Sequence, residues 1–214
     1  MTLWGKKSCP TVRWASLRDF IPGLRNSDPV GTVAKTLTKA VRPGDVVWDV
    51  GADDGTFSEL FCRLVGNDGS VVAFEPRPAL CEIIQTRVPN CGWLRVEQVT
   101  LGAFDAPRLL VANGSTVSGS QEVCRGDTMC QRLGRIPNVL KVAVQGFEEE
   151  VLAGMGVRLA SLVLREVMVE VNFPMRSLTG VKIRMAPGRI EGLLGAMGFK
   201  TKWIDDSHLF ATRS

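Results

Sequence analysis

The sequence predicts an α/β protein, a doubly wound and mostly parallel sheet of seven strands that finishes in a C-terminal antiparallel hairpin. Three observations carry this. Two short apolar runs, Val46–Val50 and Ser70–Phe74, flank a helix-length segment, and each has a carboxylate at its far end, Asp49 and Glu75. Apolar runs and helical spacings then alternate along most of the remaining chain. The last two runs, Lys200–Ile204 and His208–Thr212, are separated by a short polar turn, as hairpin strands are.

The elements follow in order. Residues 1–28, punctuated by Trp, Arg and Pro, read as an N-terminal arm or lid, with Trp4, Trp14 and Phe20 available to cover a pocket; residues 29–214 form the domain. Val33, Leu37 and Val41 share one side of a helix over Val30–Val41. Arg42-Pro43-Gly44-Asp45 turns the chain into the first strand. A helix over Thr56–Val65 presents Phe57, Leu60, Phe61 and Leu64, and Gly66–Gly69 reverses the chain into the second strand. A helix over Pro78–Arg87 and a third strand, Leu94–Leu101, come next. Leu109–Ala112 reads as an extra strand, and Asn113–Gly126, rich in Gly, Ser and Thr, as a loop. A short helix over Asp127–Leu133 precedes the fourth strand, Val139–Val144. Gly146-Phe147-Glu148 opens a helix to about Ala153, its early acids suiting a helix amino end. The nearly continuous apolar run Ser161–Val171 suits a fifth strand covered on both faces. A helix over Ile190–Met197 leads to the hairpin.

Composition sets outer limits. A chain of 214 residues with 45% hydrophobic and 22% charged residues suits one soluble domain with a single core. The net charge of +4 is too mild to indicate nucleic acid. The six cysteines form no C-x-x-C pair and have no histidine partner at zinc spacing, so no metal site is expected and reduced thiols in a cytoplasmic protein are. Residues 1–20 lack the unbroken apolar stretch of a signal peptide, and no segment is apolar for long enough to span a membrane.

The first strand–turn–helix unit carries the chemistry. Open parallel sheets bind ligands outside the carboxyl ends of their strands. Gly51 and Gly55 let the backbone turn sharply there, and Glu75 stands where a carboxylate accepts hydrogen bonds from both hydroxyls of a ribose. The turn does not read G-x-G-x-x-G, and Asp49, Asp53 and Asp54 stand where a pyrophosphate needs bare amides, which speaks against an NAD-type dehydrogenase. A ligand with a ribose and a cationic or zwitterionic head suits the turn better, and S-adenosyl-L-methionine is such a ligand.

Laid end to end, Asp49-Val50-Gly51-Ala52-Asp53-Asp54-Gly55, Gly69–Pro76, Thr100-Leu101-Gly102, Asn113–Thr116 and Leu140–Glu148 with Val151–Gly154 following resemble the FkbM type of class I S-adenosylmethionine-dependent methyltransferases. The block from Lys141 to Glu148 is the more specific part. The resemblance implies a Rossmann-like fold, S-adenosyl-L-methionine as cofactor, and methyl transfer to an oxygen, typically a sugar or natural-product hydroxyl. It assigns cofactor binding to Asp49, Gly51, Asp53, Gly55, Glu75, Pro76, Thr100 and Leu101. Two positions depart from the family pattern: Asp53 replaces an Asn, and Ala143 replaces an Asp on the fourth strand.

Methyl transfer is an in-line displacement at a carbon already activated by sulfonium, so the protein chiefly aligns donor and acceptor. A hydroxyl acceptor still profits from a positioned base. Glu148 and Gln145 are the catalytic candidates by motif; Glu148 can take a proton and Gln145 can orient. Lys141 precedes that tip and is more suited to pairing. His208, the chain's one histidine, begins the hairpin's last strand, where a structural role is expected; Glu170 ends the fifth strand within reach of substrate. Expected partners are a small-molecule or glycan acceptor, with no nucleic acid and no membrane, and a homodimer is left open. The loss of the Asp at position 143 keeps a second reading, an S-adenosylmethionine-binding protein of the same fold with altered or non-methylating chemistry.

Overall fold

The computed structural model describes residues 29–113, 116–171 and 187–213. The expected arm over residues 1–28, the tip of the loop at Gly114-Ser115, and Asn172 therefore lie outside the described residues. Helix α1 (Pro29–Ala40) leads to strand β1 (Val46–Val50), helix α2 (Thr56–Val65), β2 (Ser70–Phe74), α3 (Pro78–Arg87) and β3 (Leu94–Glu97). A second group follows: β4 (Thr100–Gly102), β5 (Ala106–Asn113), β6 (Thr116–Arg125) and α4 (Gly126–Leu133). The chain then returns as β7 (Val139–Val142), α5 (Glu148–Gly154), a 3-10 turn (Gly156–Ala160), β8 (Glu166–Glu170), α6 (Pro187–Ala196), β9 (Lys200–Trp203) and β10 (His208–Thr212).

The main sheet has seven strands in the order β3-β2-β1-β7-β8-β10-β9. All pairings from β3 to β8 are parallel, and β10 runs antiparallel between β8 and β9. Successive strand residues point to opposite faces, so β1 serves two cores. Val47 packs with Leu37, Phe61, Val71 and Met168 beneath α1 and α2. Trp48 and Val50 pack with Phe74, Leu140, Val142, Leu152 and Ile190 on the face of α4, α5 and α6. Burial on both sides is why these strands read as apolar runs.

Besides shifts of a few residues at the ends of β5, β7 and α6, three stretches differ from expectation. The run Leu94–Leu101 is two strands. The Val99 N–H turns back onto the Glu97 carbonyl at 2.9 Å, so β3 stays in the main sheet and β4 joins a second one. The stretch expected as a loop over 113–126 contains β6, which pairs antiparallel with β5 and parallel with β4 in a three-stranded sheet of order β4-β6-β5. Its small polar residues gain strand conformation from long-range partners, not from local preference. This sheet seats against α5 through glycine: a Cβ on Gly154 would lie 1.9 Å from the Gly102 carbonyl oxygen. Finally, the expected strand Ser161–Val171 is confined to Glu166–Glu170. Its apolar beginning is a turn, with Leu162 and Val163 79% and 46% exposed.

At the foot of β8, Arg165 clasps Asp45 with two nitrogens at 3.1 and 2.9 Å, leaving Glu166 Oε2 buried without a hydrogen-bond partner. Burial pushes the Glu166 carboxyl above the ordinary glutamate range, against the pull of Arg165 and Arg42. A carboxyl raised on folding favours the native state in acid and loses that contribution as pH rises through its folded pKa. Glu166→Gln is therefore expected to raise the denaturation midpoint at neutral pH, with the gain vanishing as the pH falls below the glutamate range. Urea melts across pH read this directly, and a gain that grew in acid would contradict it.

Candidate active site

The carboxyl edge of the sheet has its topological switch between β1 and β7, because the chain leaves β1 toward β2 and leaves β7 toward β8. The β1–α2 turn lies at that switch. Its backbone alternates through left-handed conformations at Gly51 (φ 74°), Asp53 (φ 51°) and Gly55 (φ 83°). The glycines serve the turn and its packing against the chain itself. A Cβ on Gly51 would stand 2.0 Å from the Ala143 carbonyl oxygen, and one on Gly55 would press on the Ile84 side chain at 3.1 Å. The closest approach they permit within the chain is thus to β7 and α3.

Glu75 continues β2 at this edge and is 1% exposed. Its Oε2 accepts the Asp53 N–H at 3.0 Å, which ties the two strand tips together. Its Oε1 accepts the Arg77 N–H at 3.0 Å and Arg77 Nε at 2.8 Å, and Arg77 Nη2 bridges onward to Asp53 Oδ1 at 2.9 Å. These charge-assisted bonds raise the Arg77 pKa further, the bond to Glu75 being the largest cause. Asp54 accepts the Thr56 N–H and hydroxyl at 3.0 and 2.8 Å and pairs with Arg87 at 2.7 Å. Burial works to raise its pKa, but these donors outweigh it and hold the carboxyl below the usual range. The acids of the turn are therefore already balanced by Arg77 and Arg87.

Asp49 lies beneath the turn, fully buried. Ser58 Oγ donates to its Oδ2 at 2.7 Å, and Lys141, its register partner on β7, places Nζ 2.9 Å from Oδ1 as a charge contact. The same ammonium aims its hydrogen bond at the Gly51 carbonyl, 2.9 Å away, and stands 5.3 Å from the Phe57 ring centre. Lys141 thus braces the turn from below.

On the other side of the switch, β7 ends in a second strained turn, with Gln145 at φ 54° and Gly146 at φ 106°. Gln145 is exposed, whereas Glu148 is buried with both oxygens on the Gly146 N–H, at 2.9 and 3.1 Å. Thr100 and Leu101 enter from β4, beyond the end of β3; Leu101 is packed in the core and Thr100 is half-buried, as is Pro76 between Glu75 and Arg77. Glu170 and His208 face each other across β8 and β10 at the same edge. The structure thus joins Asp53 to Glu75 by a direct hydrogen bond, keeps Gly51 and Gly55 in the same turn, and sets the Gln145–Glu148 turn across the switch. Reading the residues alone missed Arg77, although it stands two places after Glu75, where a cation has short reach to that carboxylate.

No protein-family model matches the chain. It is 31% identical over 153 residues to the hexuronic acid methyltransferase AglP of Haloferax volcanii, an alignment covering 65% of this chain and 61% of that protein. The chain therefore spans less than two thirds of the curated relative's length. Among solved structures it is similar to a putative rRNA methylase of Clostridium thermocellum, with a TM-score of 0.57, 11% identity and coverage of 89% of this chain and all of that one. It is also similar to Aeropyrum pernix fibrillarin in complex with S-adenosyl-L-methionine, with a TM-score of 0.53, 16% identity and coverage of 85% and 73%. A third is the precorrin-6y C5,15-methyltransferase of Geobacter metallireducens, with a TM-score of 0.52, 14% identity and coverage of 91% and 93%. The fold of this chain is the Rossmann-like fold of S-adenosylmethionine-dependent methyltransferases, a mostly parallel seven-stranded sheet with a C-terminal antiparallel hairpin.

Proposed function

We propose that the chain is an S-adenosylmethionine-dependent methyltransferase acting on an oxygen of a sugar or other small hydroxylated acceptor. The observation that carries this is the buried Glu75 carboxylate at the tip of β2, joined to the glycine turn of β1 at the topological switch. The residues suit the cofactor: a carboxylate takes two ribose hydroxyls, and Asp53, once Arg77 leaves it, offers a rim favourable to a cationic centre. When bound, the cofactor supplies a methyl carbon activated by sulfonium.

The chain's own residues do the rest. Glu75 accepts the ribose hydroxyls once Arg77 swings aside. Lys141 and Asp49 hold the Gly51 turn in register, and Pro76 and Thr100 flank the nucleoside from β2 and β4, with Leu101 anchoring β4 in the core. Gln145, exposed at the tip of β7, orients the acceptor. Glu148 fixes the strained turn that carries Gln145, through the Gly146 N–H. Holding donor and acceptor in line supplies most of what such a displacement needs. The similarity to a hexuronic acid methyltransferase favours a sugar acid among the acceptors.

A second reading has its own observation. Ala143 at the end of β7 offers no carboxylate to the acceptor, which favours a protein that binds the cofactor without transferring its methyl group. Calorimetry with S-adenosylmethionine, S-adenosylhomocysteine and NAD, followed by turnover with glucuronic acid, galacturonic acid and glucose, separates the readings. Methyl transfer to a sugar is the expected result. Binding without turnover across a broad acceptor panel would favour the second reading, and preference for NAD would overturn both.

A further inference from the structure

His208 sits at the edge of the sheet that carries the proposed site. Strand β10 runs antiparallel to β8, so its first residue lies beside the last residue of β8, in the register His208↔Glu170. Val171, one step beyond, donates its N–H to the Ser207 carbonyl at 2.7 Å and ties the preceding turn to the tip of β8. Adjacent strands lie about 4.8 Å apart, so β10 stands roughly 10 Å along the edge from β7. The imidazole and the turn that carries Gln145 thus lie at the same carboxyl edge, two strands apart.

The ring is fixed in one orientation and one tautomer. Asp205 Oδ1 accepts the N–H groups of Ser207 and His208 at 2.9 and 2.8 Å, and the Ser207 hydroxyl donates to it at 3.3 Å. Both Asp205 oxygens stand 2.8 and 2.9 Å from His208 Nδ1. Burial acts to raise the Asp205 pKa, but these donors hold the carboxyl below the usual range. An ionised carboxylate only accepts, so Nδ1 carries a proton, and the second ring nitrogen, Nε2, is the one that can take up or release a proton. Among the described residues only Asp205 and Ser207 reach the ring, both at Nδ1. The other charged groups on its flanks are Glu170 on β8 and Asp206 in the turn, with Lys202 on β9 opposite Phe210.

We infer that His208, oriented by Asp205, is the general base for the hydroxyl acceptor, the role left open by Ala143. This rests on the methyltransferase reading above. Glu148 is committed to the Gly146 N–H and Glu75 to the cofactor side, whereas among the described residues no group hydrogen-bonds His208 Nε2. The acceptor oxygen forms its bond to the methyl carbon as the carbon–sulfur bond breaks. The bonding pair remains on sulfur as a neutral thioether, and the hydroxyl proton passes to Nε2. The imidazolium then pairs with Asp205 and loses its proton to solvent.

Nitrogen-15 spectra read the tautomer without any acceptor, and the chain's one histidine makes the assignment unambiguous. A proton on Nδ1 and a bare Nε2 are expected; a proton on Nε2 would overturn the inference. Kinetics with the sugar acceptors on which the unaltered protein turns over supply the second test. His208→Gln is expected to lower kcat by about 100-fold or more and to remove the acidic limb of its pH profile, with S-adenosylmethionine affinity unchanged. Asp205→Asn, which loosens the ring, is expected to lower kcat while retaining the limb, and it serves if the glutamine variant fails to fold. Full kcat with the limb intact in His208→Gln, or full kcat in Asp205→Asn, would overturn the role of His208 and leave the methyltransferase reading standing. Failure of the unaltered protein to bind S-adenosylmethionine or to turn over on any sugar would remove that reading, and this inference with it.

Discussion

Glu75→Ala is expected to abolish measurable S-adenosylmethionine binding. Hydrogen bonds to a charged acceptor contribute about 1.5–3 kcal/mol each. Losing the two bonds from a ribose therefore costs at least about 3 kcal/mol, roughly a hundredfold in affinity at about 1.4 kcal/mol per tenfold. The variant also strands the Asp53 N–H and frees Arg77 from its strongest partner, so the turn itself loosens. Glu75→Gln separates the effects, because the amide oxygen still accepts one bond. It should bind with intermediate affinity while melting near the unaltered protein. Calorimetry of the three proteins checks the order; equal affinity in Glu75→Ala would remove the ribose assignment.

Lys141→Met is expected to be the most destabilising single change at the site. It leaves Asp49 fully buried with only Ser58 for a partner, and an uncompensated buried charge typically costs about 3–5 kcal/mol. The Gly51 carbonyl loses its ammonium donor as well. Joining Asp49→Asn to Lys141→Met removes the charge along with its partner, and most of the stability should return. Urea denaturation of the single and double variants measures this. A cost below about 1 kcal/mol for Lys141→Met, in the range of exposed pairs, would mean that the pair does not support the turn.

How far the sequence reaches can be judged from particular elements. The ranges of α2 and α3 were legible to the residue, because glycine turns and a proline punctuate them where the apolar spacing changes. β6 was not legible, since Thr116–Arg125 is locally a polar, glycine-containing stretch and becomes a strand only by pairing with β4 and β5. The apolar residues Leu162 and Val163 misled in the opposite sense, because apolar character alone does not place a side chain inside. At the site, Glu75 and the Gly51–Gly55 turn followed from the order of strand, turn and carboxylate. The Asp49–Lys141 pair depends on the parallel register of β1 and β7, which no local pattern reveals. His208 was conspicuous as the one histidine, but its place beside Glu170 is a product of topology.

On the methyltransferase reading proposed above, the Arg77 clasp bears on cofactor exchange. A nucleoside that takes Glu75 must evict a guanidinium, exchanging a charged partner for neutral hydroxyls. The vacated carboxylate and Asp53 then confront the newcomer with uncompensated negative potential at close range. A ligand that brings its own positive charge offsets that deficit, and one that has lost its charge by donating a methyl group does not. On that reading Arg77 would then reclaim its place beside Glu75 and Asp53, and the same side chain would oppose arrival of the cofactor and favour departure of the spent thioether.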